Sequence, residues 1–417
     1  MAKSSGAGLF SRIYGRAAGR ATPEAAQAEP TDDRKDLKAA AQLAVQVEFT
    51  TIPAYLTALY SISQPDSSAY QLLRSVVMEE MFHFNEAANL LVGIGGLPQC
   101  KGPFAPRYPG YLPHANPSTT PYVGLYRAAP DVFENVFAAI ERPAPPHAPA
   151  QGDNYDTIAQ LYEALRDGLE SYQGTPSLFT PNPAGRQRTE IYLGKFGGTP
   201  VAVSDMASAR LAINEITEQG EGNVPADQPL VPIQPWGAYD HYGQRTDGTY
   251  GPIIGTPFEM SHFTKFRTVA LDTANFPDTY PIISNARLQD FSNPVAQEKA
   301  KLFDLAYSLM LEALEMSFRA LPAGTPDPFF TLVLPLMHQV MPALARTLVT
   351  TPAHPDGDSS VGPNAAPLFV YRPDGKLANL VRGLAKLQHA AGKAERDALT
   401  AALDSAQDML AAEGSKK

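Results

Sequence analysis

The sequence predicts an all-α fold: a four-helix bundle with carboxylates and histidines in its core, long loop insertions and additional C-terminal helices. Three observations lead there. Apolar residues recur at helical spacing in four separated segments, 37–55, 70–92, 204–219 and 257–271. Two of those segments carry the same motif, Glu80-x-x-His83 and Glu259-x-x-His262. The 39 prolines and 31 glycines, unsuited to helix interiors, collect in the stretches between.

The first helix follows the polar stretch 21–34 and runs on Leu37, Ala41, Ala44, Val45, Ile52 and Tyr55, with Glu48 on the same stripe. Pro53 falls inside it and is expected to kink the helix or break a turn, because it removes a backbone donor. The second is carried by Leu73, Val76, Val77, Phe84, Ala87 and Leu91 and stops at the Gly93, Gly95, Gly96, Pro98 cluster. An insertion over 99–204 is rich in Pro, Gly and Tyr, with short helical patterns at 130–142 and 155–172 and a short strand at Ile191-Tyr192-Leu193. A third core helix fits 204–219, before Gly220 and Gly222. The loop 223–256, which holds Trp236, leads into the fourth, 257–271. Apolar helices at 295–320 and 328–349, a Pro/Gly loop at 351–367 and an amphipathic pair at 378–391 and 394–412 complete the chain. The expected organisation is a disordered or loosely packed arm over 1–34, a metal-binding bundle over 35–350, and a loop with C-terminal helices packed on the bundle over 351–417.

Bulk properties remove several functions. A net charge of −10 supplies no basic face for nucleic acid. The single cysteine, Cys100, excludes an intrachain disulfide and a thiolate metal cage, so any metal must be held by oxygen and nitrogen. No uninterrupted apolar run is long enough to span a bilayer and no secretory signal core is seen, so cytoplasmic placement is expected. Arg12, Arg16 and Arg20 precede the first acidic residue, Glu24, and read as part of a disordered tail, with a basic surface arm or transit-like segment as the alternative.

Residues three or four apart share a helix face, so Glu80 and His83 point together, into the stripe made by Leu73, Val76, Val77, Ala87 and Leu91. The same test places Glu259 and His262 beside Phe266. Buried without partners, these groups would cost several kcal/mol per ion. Two divalent cations held by four carboxylates and two neutral histidines make a locally neutral cluster, the stoichiometry of di-iron and di-manganese bundles. The fourth carboxylate is expected from the third helix, where Glu218 shares a stripe with Ala207, Leu211 and Glu215, and Glu221 is the alternative. Glu221, Tyr55 and the loop residue His241 are candidates for groups that support the ligands or meet substrate. Glu79 and Glu86 lie on a neighbouring face of the second helix.

The run from Glu48 through Ile52-Pro53-Ala54-Tyr55, the block Glu79-Glu80-Met-Phe-His83 leading to Gly95-Gly96-Leu97-Pro98, the segment Glu218-Gln-Gly-Glu-Gly222 and Ser261-His262-Phe263 resemble the ferritin-like domain family that includes the iminophenyl-pyruvate dimer synthase of violacein biosynthesis. The resemblance covers about 37–271. It implies a ferritin-like bundle and gives the ligand roles to Glu48, Glu80, His83, Glu218, Glu259 and His262; it does not carry a substrate across.

The expected function is a non-haem di-iron oxidase or oxygenase that uses dioxygen or peroxide on a small aromatic or amino-acid-derived molecule. Tyr122, Tyr126, Tyr162, Tyr239, Tyr242, Trp236 and Phe258 are candidates for its pocket wall. Alternatives are a ferroxidase or iron-handling protein, a di-manganese catalase with manganese in place of iron, and a non-catalytic metal-binding scaffold. Homo-oligomerisation is left open.

Overall fold

A hairpin of two long helices forms the frame of the molecule, a computed structural model that describes residues 10, 33–174, 177–190, 198–222 and 260–414. Helix α1, Asp33–Ser61, is rich in alanine and valine and is buried on most of its circumference, as a central bundle helix must be. It runs unbroken through Pro53, so no turn is broken there. The carbonyl of Pro53 is used by the Thr57 hydroxyl, which donates to it at 2.9 Å. Helix α2, Ser68–Gly93, starts where the Ser67 side chain accepts from the Tyr70 amide. It ends on Gly95, whose φ of +84° reverses the chain at little cost only because it is glycine.

The insertion contributes α3, a short helix over 130–140 with a π-helical turn at Phe133–Phe137, and α4, Ile158–Glu170, capped by Thr157. Helix α5, Met206–Gly220, opens with a reciprocal cap between Asp205 and Ser208. Helix α6, His262–Leu271, is capped by Ser261, and Met260 and Ser261 are not helical. The expected start at 257 is therefore too early. Helices α5 and α6 pack on α2, and α4 packs on α1 and α5, so the elements surround the centre of the α1–α2 hairpin.

A second layer consists of α7, Pro294–Ser317, and α8, Phe329–Val349, with α9, Leu377–Ala390, and α10, Lys393–Gly414, outside it. Helix α8 contains two π-helical turns, Phe329–Val333 and Leu336–Val340, around Pro335. These wide turns accommodate a residue that cannot donate to the preceding turn. By length and composition α8 could cross a bilayer, but 56% of its apolar window is buried, against α7 and α10 among others.

Among the described residues there are no strands, only isolated bridges. The expected strand at Ile191-Tyr192-Leu193 and the arginines of the N-terminal arm lie outside those residues. Phe10, expected in a loose arm, is buried over Gly152, and its amide donates to Asp153 Oδ2 at 2.9 Å.

Candidate metal centre

Four elements deliver buried polar groups to one point. Glu48 comes from α1, Glu80 and His83 from α2, Glu141 from the end of α3, and His262 from the first turn of α6. Each is at most 2% exposed. Ligand atoms of Glu80, His83 and His262 lie within 4.8 Å of one another, and the two imidazoles stack with ring centroids 5.1 Å apart.

The cluster divides into two half-sites that share Glu80. His83 Nδ1 faces Glu48 Oε2 at 3.6 Å and Glu80 Oε1 at 3.8 Å. His262 Nδ1 faces Glu80 Oε1 at 2.8 Å and Glu141 Oε2 at 3.6 Å. Each half thus has one imidazole nitrogen, one carboxylate of its own and a share of Glu80.

A surrounding set of hydrogen bonds repeats the same division. Tyr162 donates to Glu48 Oε1 at 2.6 Å, and Tyr55 donates to Glu141 Oε1 at 2.5 Å. Thr51 donates to the remaining oxygen of Glu80, Oε2, at 2.5 Å. His83 Nε2 meets Gln219 Oε1 at 3.0 Å, and His262 Nε2 meets Glu79 Oε2 at 3.0 Å. Glu79 in turn accepts from the buried Lys265 Nζ at 2.6 Å. Both Nε2 partners are acceptors, so each Nε2 carries a hydrogen and Nδ1 is the ring atom turned to the carboxylates, where a metal would take its lone pair in place of a proton.

That arrangement tests whether a cation fits. His262 Nδ1 is buried and lacks a hydrogen bond among the described residues although Glu80 Oε1 is only 2.8 Å away. A lone pair pointed at a carboxylate is repulsive unless a proton or a cation lies between them. The donor set, carboxylate oxygen and imidazole nitrogen without thiolate, suits iron or manganese. The residues fit the group.

The site's field points the same way. Burial, then Glu141, pushes the Glu80 carboxyl up to about 7, with His262 opposing. Burial alone would push His262 down, but Glu141, Glu79 and Glu80 hold it well above its ordinary value. Burial, helped by Glu141 at Tyr55 and by Glu48 at Tyr162, holds both phenols well above the usual range, so they remain donors. The pocket therefore retains protons in a field that a metal cation would satisfy better.

Of the sequence-predicted ligands, Glu48, Glu80, His83 and His262 are brought together. Glu218 is not: it is exposed on α5, whose buried stripe is Ala209, Ala212, Ile213, Ile216 and Gly220. Gln219, one residue on, is what reaches His83. Glu221 also fails as a ligand. Its carboxylate accepts from the Ala159 amide at 2.6 Å and the Ala144 amide at 3.1 Å, capping α4, and burial pushes it up to about 8. Glu259 and His241 lie outside the described residues, as do Trp236, Tyr239, Tyr242 and Phe258. The one-turn helical spacing invoked for Glu259 is not available, because the helix begins at His262. Tyr55 donates to Glu141 and Tyr162 to Glu48, so both lie beside the cluster, whereas Tyr122 is 48% exposed.

Sequence reasoning missed Glu141. Its signal was present: Phe133, Phe137 and Glu141 recur at four-residue spacing, and both phenylalanines are fully buried. Glu79 and Glu86 were underrated, since both are buried; Glu86 accepts from the Val201 amide at 3.1 Å.

A family model described as Ferritin-like matches residues 41–270. Dichlorochromopyrrolate synthase from Lentzea aerocolonigenes is 26% identical over 416 aligned residues, covering 83% of this chain and 37% of that protein. The chain thus spans a little over a third of the length of this curated relative. The crystal structure of a ferritin-like protein from Caulobacter vibrioides superposes with a TM-score of 0.48 at 23% identity, over 73% of this chain and 93% of that one.

Proposed function

The chain belongs to the ferritin-like family, and from that premise we propose that its centre holds two iron ions and that the protein is an oxidoreductase acting on a small aromatic or amino-acid-derived molecule. The observation that carries this reading is the shared Glu80 between two imidazole nitrogens, each with a further carboxylate of its own. One metal would be held by His83, Glu48 and Glu80, the other by His262, Glu141 and Glu80. Glu259 remains a proposed additional ligand.

Bound iron would supply the electrons that activate dioxygen or peroxide and the oxidising power then turned on an organic molecule. The chain's own groups have separate tasks. Tyr162 and Tyr55 fix the carboxylates of Glu48 and Glu141 and stay protonated while doing so. Glu79, itself held by Lys265, orients His262, and Gln219 orients His83. Burial keeps bulk water from the cluster, which strengthens every interaction within it. The partial relative, named for the synthesis of dichlorochromopyrrolate, supports a small organic substrate.

Reconstitution of metal-free protein with ferrous iron under anaerobic conditions should give two metals per chain, and exposure to dioxygen should then consume it. Manganese as the tightly bound metal, with rapid dismutation of peroxide, would overturn the iron reading. Metal binding without dioxygen or peroxide consumption would leave a scaffold.

A further inference from the structure

Two adjoining cavities open between the α1–α2 hairpin and α8, with volumes of about 390 and 260 Å³. They share Met78, Met81, Met337 and His338 as a common wall. None of their lining residues belongs to the metal centre.

The smaller, inner cavity is walled by Phe49, Phe84, Phe318 and Phe329 together with Met310. Phe49 and Phe84 meet edge-to-face at 5.8 Å, and Phe84 and Phe318 at 6.2 Å, so the aromatic wall is already ordered. Two polar side chains interrupt it, the exposed His338 on the shared wall and the buried Asn85. Asn85 is 4% exposed, and its Nδ2 donates to the Arg188 carbonyl at 3.0 Å and to Glu86 Oε1 at 3.3 Å. The Arg188 carbonyl can only accept, so the amide cannot be turned over, and Oδ1 is left without a hydrogen bond among the described residues. A buried acceptor without a donor costs roughly 1–3 kcal/mol, so its retention in an apolar pocket points to a donor that arrives with a ligand.

Size limits that ligand. An apolar cavity of about 150 Å³ admits benzene; one of about 260 Å³ takes a single substituted ring. Arg74 and Arg346 line only the outer cavity. Arg74 lies about 16 Å from Asn85 along α2 at helical rise, beyond the span of one ring. A molecule seated in the smaller cavity therefore does not need those cations.

We propose that the inner cavity is a binding site for a small neutral aromatic bearing a ring O–H or N–H, which donates to Asn85 Oδ1 while the ring packs among the phenylalanines and methionines. A saturated acyl chain would fill the space and leave the acceptor unsatisfied.

The test uses the full chain and two probes, 4-ethylphenol and its methyl ether 4-ethylanisole, in ligand-observed NMR and calorimetric titration. Saturable binding of the phenol, about tenfold tighter than the ether, and loss of both in a Met337→Trp variant that melts like wild type, are expected. The wild-type comparison of the two probes stands even if that variant fails to fold. Equal affinity for phenol and ether, no saturable phenol binding, or undiminished binding by a folded Met337→Trp variant would overturn the proposal.

Discussion

Replacing Glu141 by Gln should lower metal content and raise the stability of the metal-free chain, two effects of opposite sign from one substitution. Glu141 and Glu80 each place an oxygen within 3.6 Å of the same His262 Nδ1. Their charges are therefore no more than about 6 Å apart, a repulsion of about 3 kcal/mol at an effective dielectric near 20. Glutamine removes that repulsion, loses part of the attraction that Glu141 exerts on a protonated His262, and keeps an amide oxygen for Tyr55, which now donates at 2.5 Å. A net gain of about 1–2 kcal/mol for the metal-free protein corresponds to a Tm rise of about 1–2 °C in a chain of 417 residues. With metal the sign reverses. A neutral amide cannot replace an ionised ligand, and the second ion's affinity should fall by more than the roughly 10–100-fold typical of losing a supporting partner. Elemental analysis after gel filtration should find one metal per chain, and thermal melts with and without chelator should show the opposed shifts. Two metals retained, or a metal-free Tm that falls, would refute this placement of Glu141.

Tyr55→Phe and Tyr162→Phe should each weaken metal binding by about 10–100-fold while leaving stoichiometry at saturation unchanged, as read by competition with a calibrated chelator. His262→Ala should lower occupancy, whereas Glu218→Ala, on the exposed side of α5, should match wild type in elemental analysis. Glu221 is raised from 4.5 to about 8 in the folded chain. The folded state then binds the extra proton between those values, so this group's contribution makes stability fall as pH rises through the window. Denaturant melts of Glu221→Gln should show a flatter pH dependence there; an unchanged profile would contradict that assignment.

Much of the centre was legible because α1 and α2 are long helices whose buried stripes include their functional groups. Glu48, Glu80 and His83 fall on those stripes, and no loop geometry is needed to bring them inside. The third helix misled because Leu211 is a large apolar residue that the fold leaves 51% exposed. Following it rotated the helix by one residue, selecting Glu218 in place of the face that carries Gln219. Glu141 was hidden differently: it closes a short helix inside an insertion, where a bundle ligand was not sought. The motif Glu259-x-x-His262 assumed a continuous helix. Ser261, a capping residue type directly before the apolar period, was the local sign that a new helix begins at His262.

The central claim is that one carboxylate, Glu80, is shared by two metal positions with different partners. Anomalous diffraction at the iron edge from crystals of iron-loaded protein tests it most directly. Two peaks are predicted, one among His83, Glu48 and Glu80 and the other among His262, Glu141 and Glu80. A single peak, or density held by Glu218 on the exposed face of α5, would contradict the account.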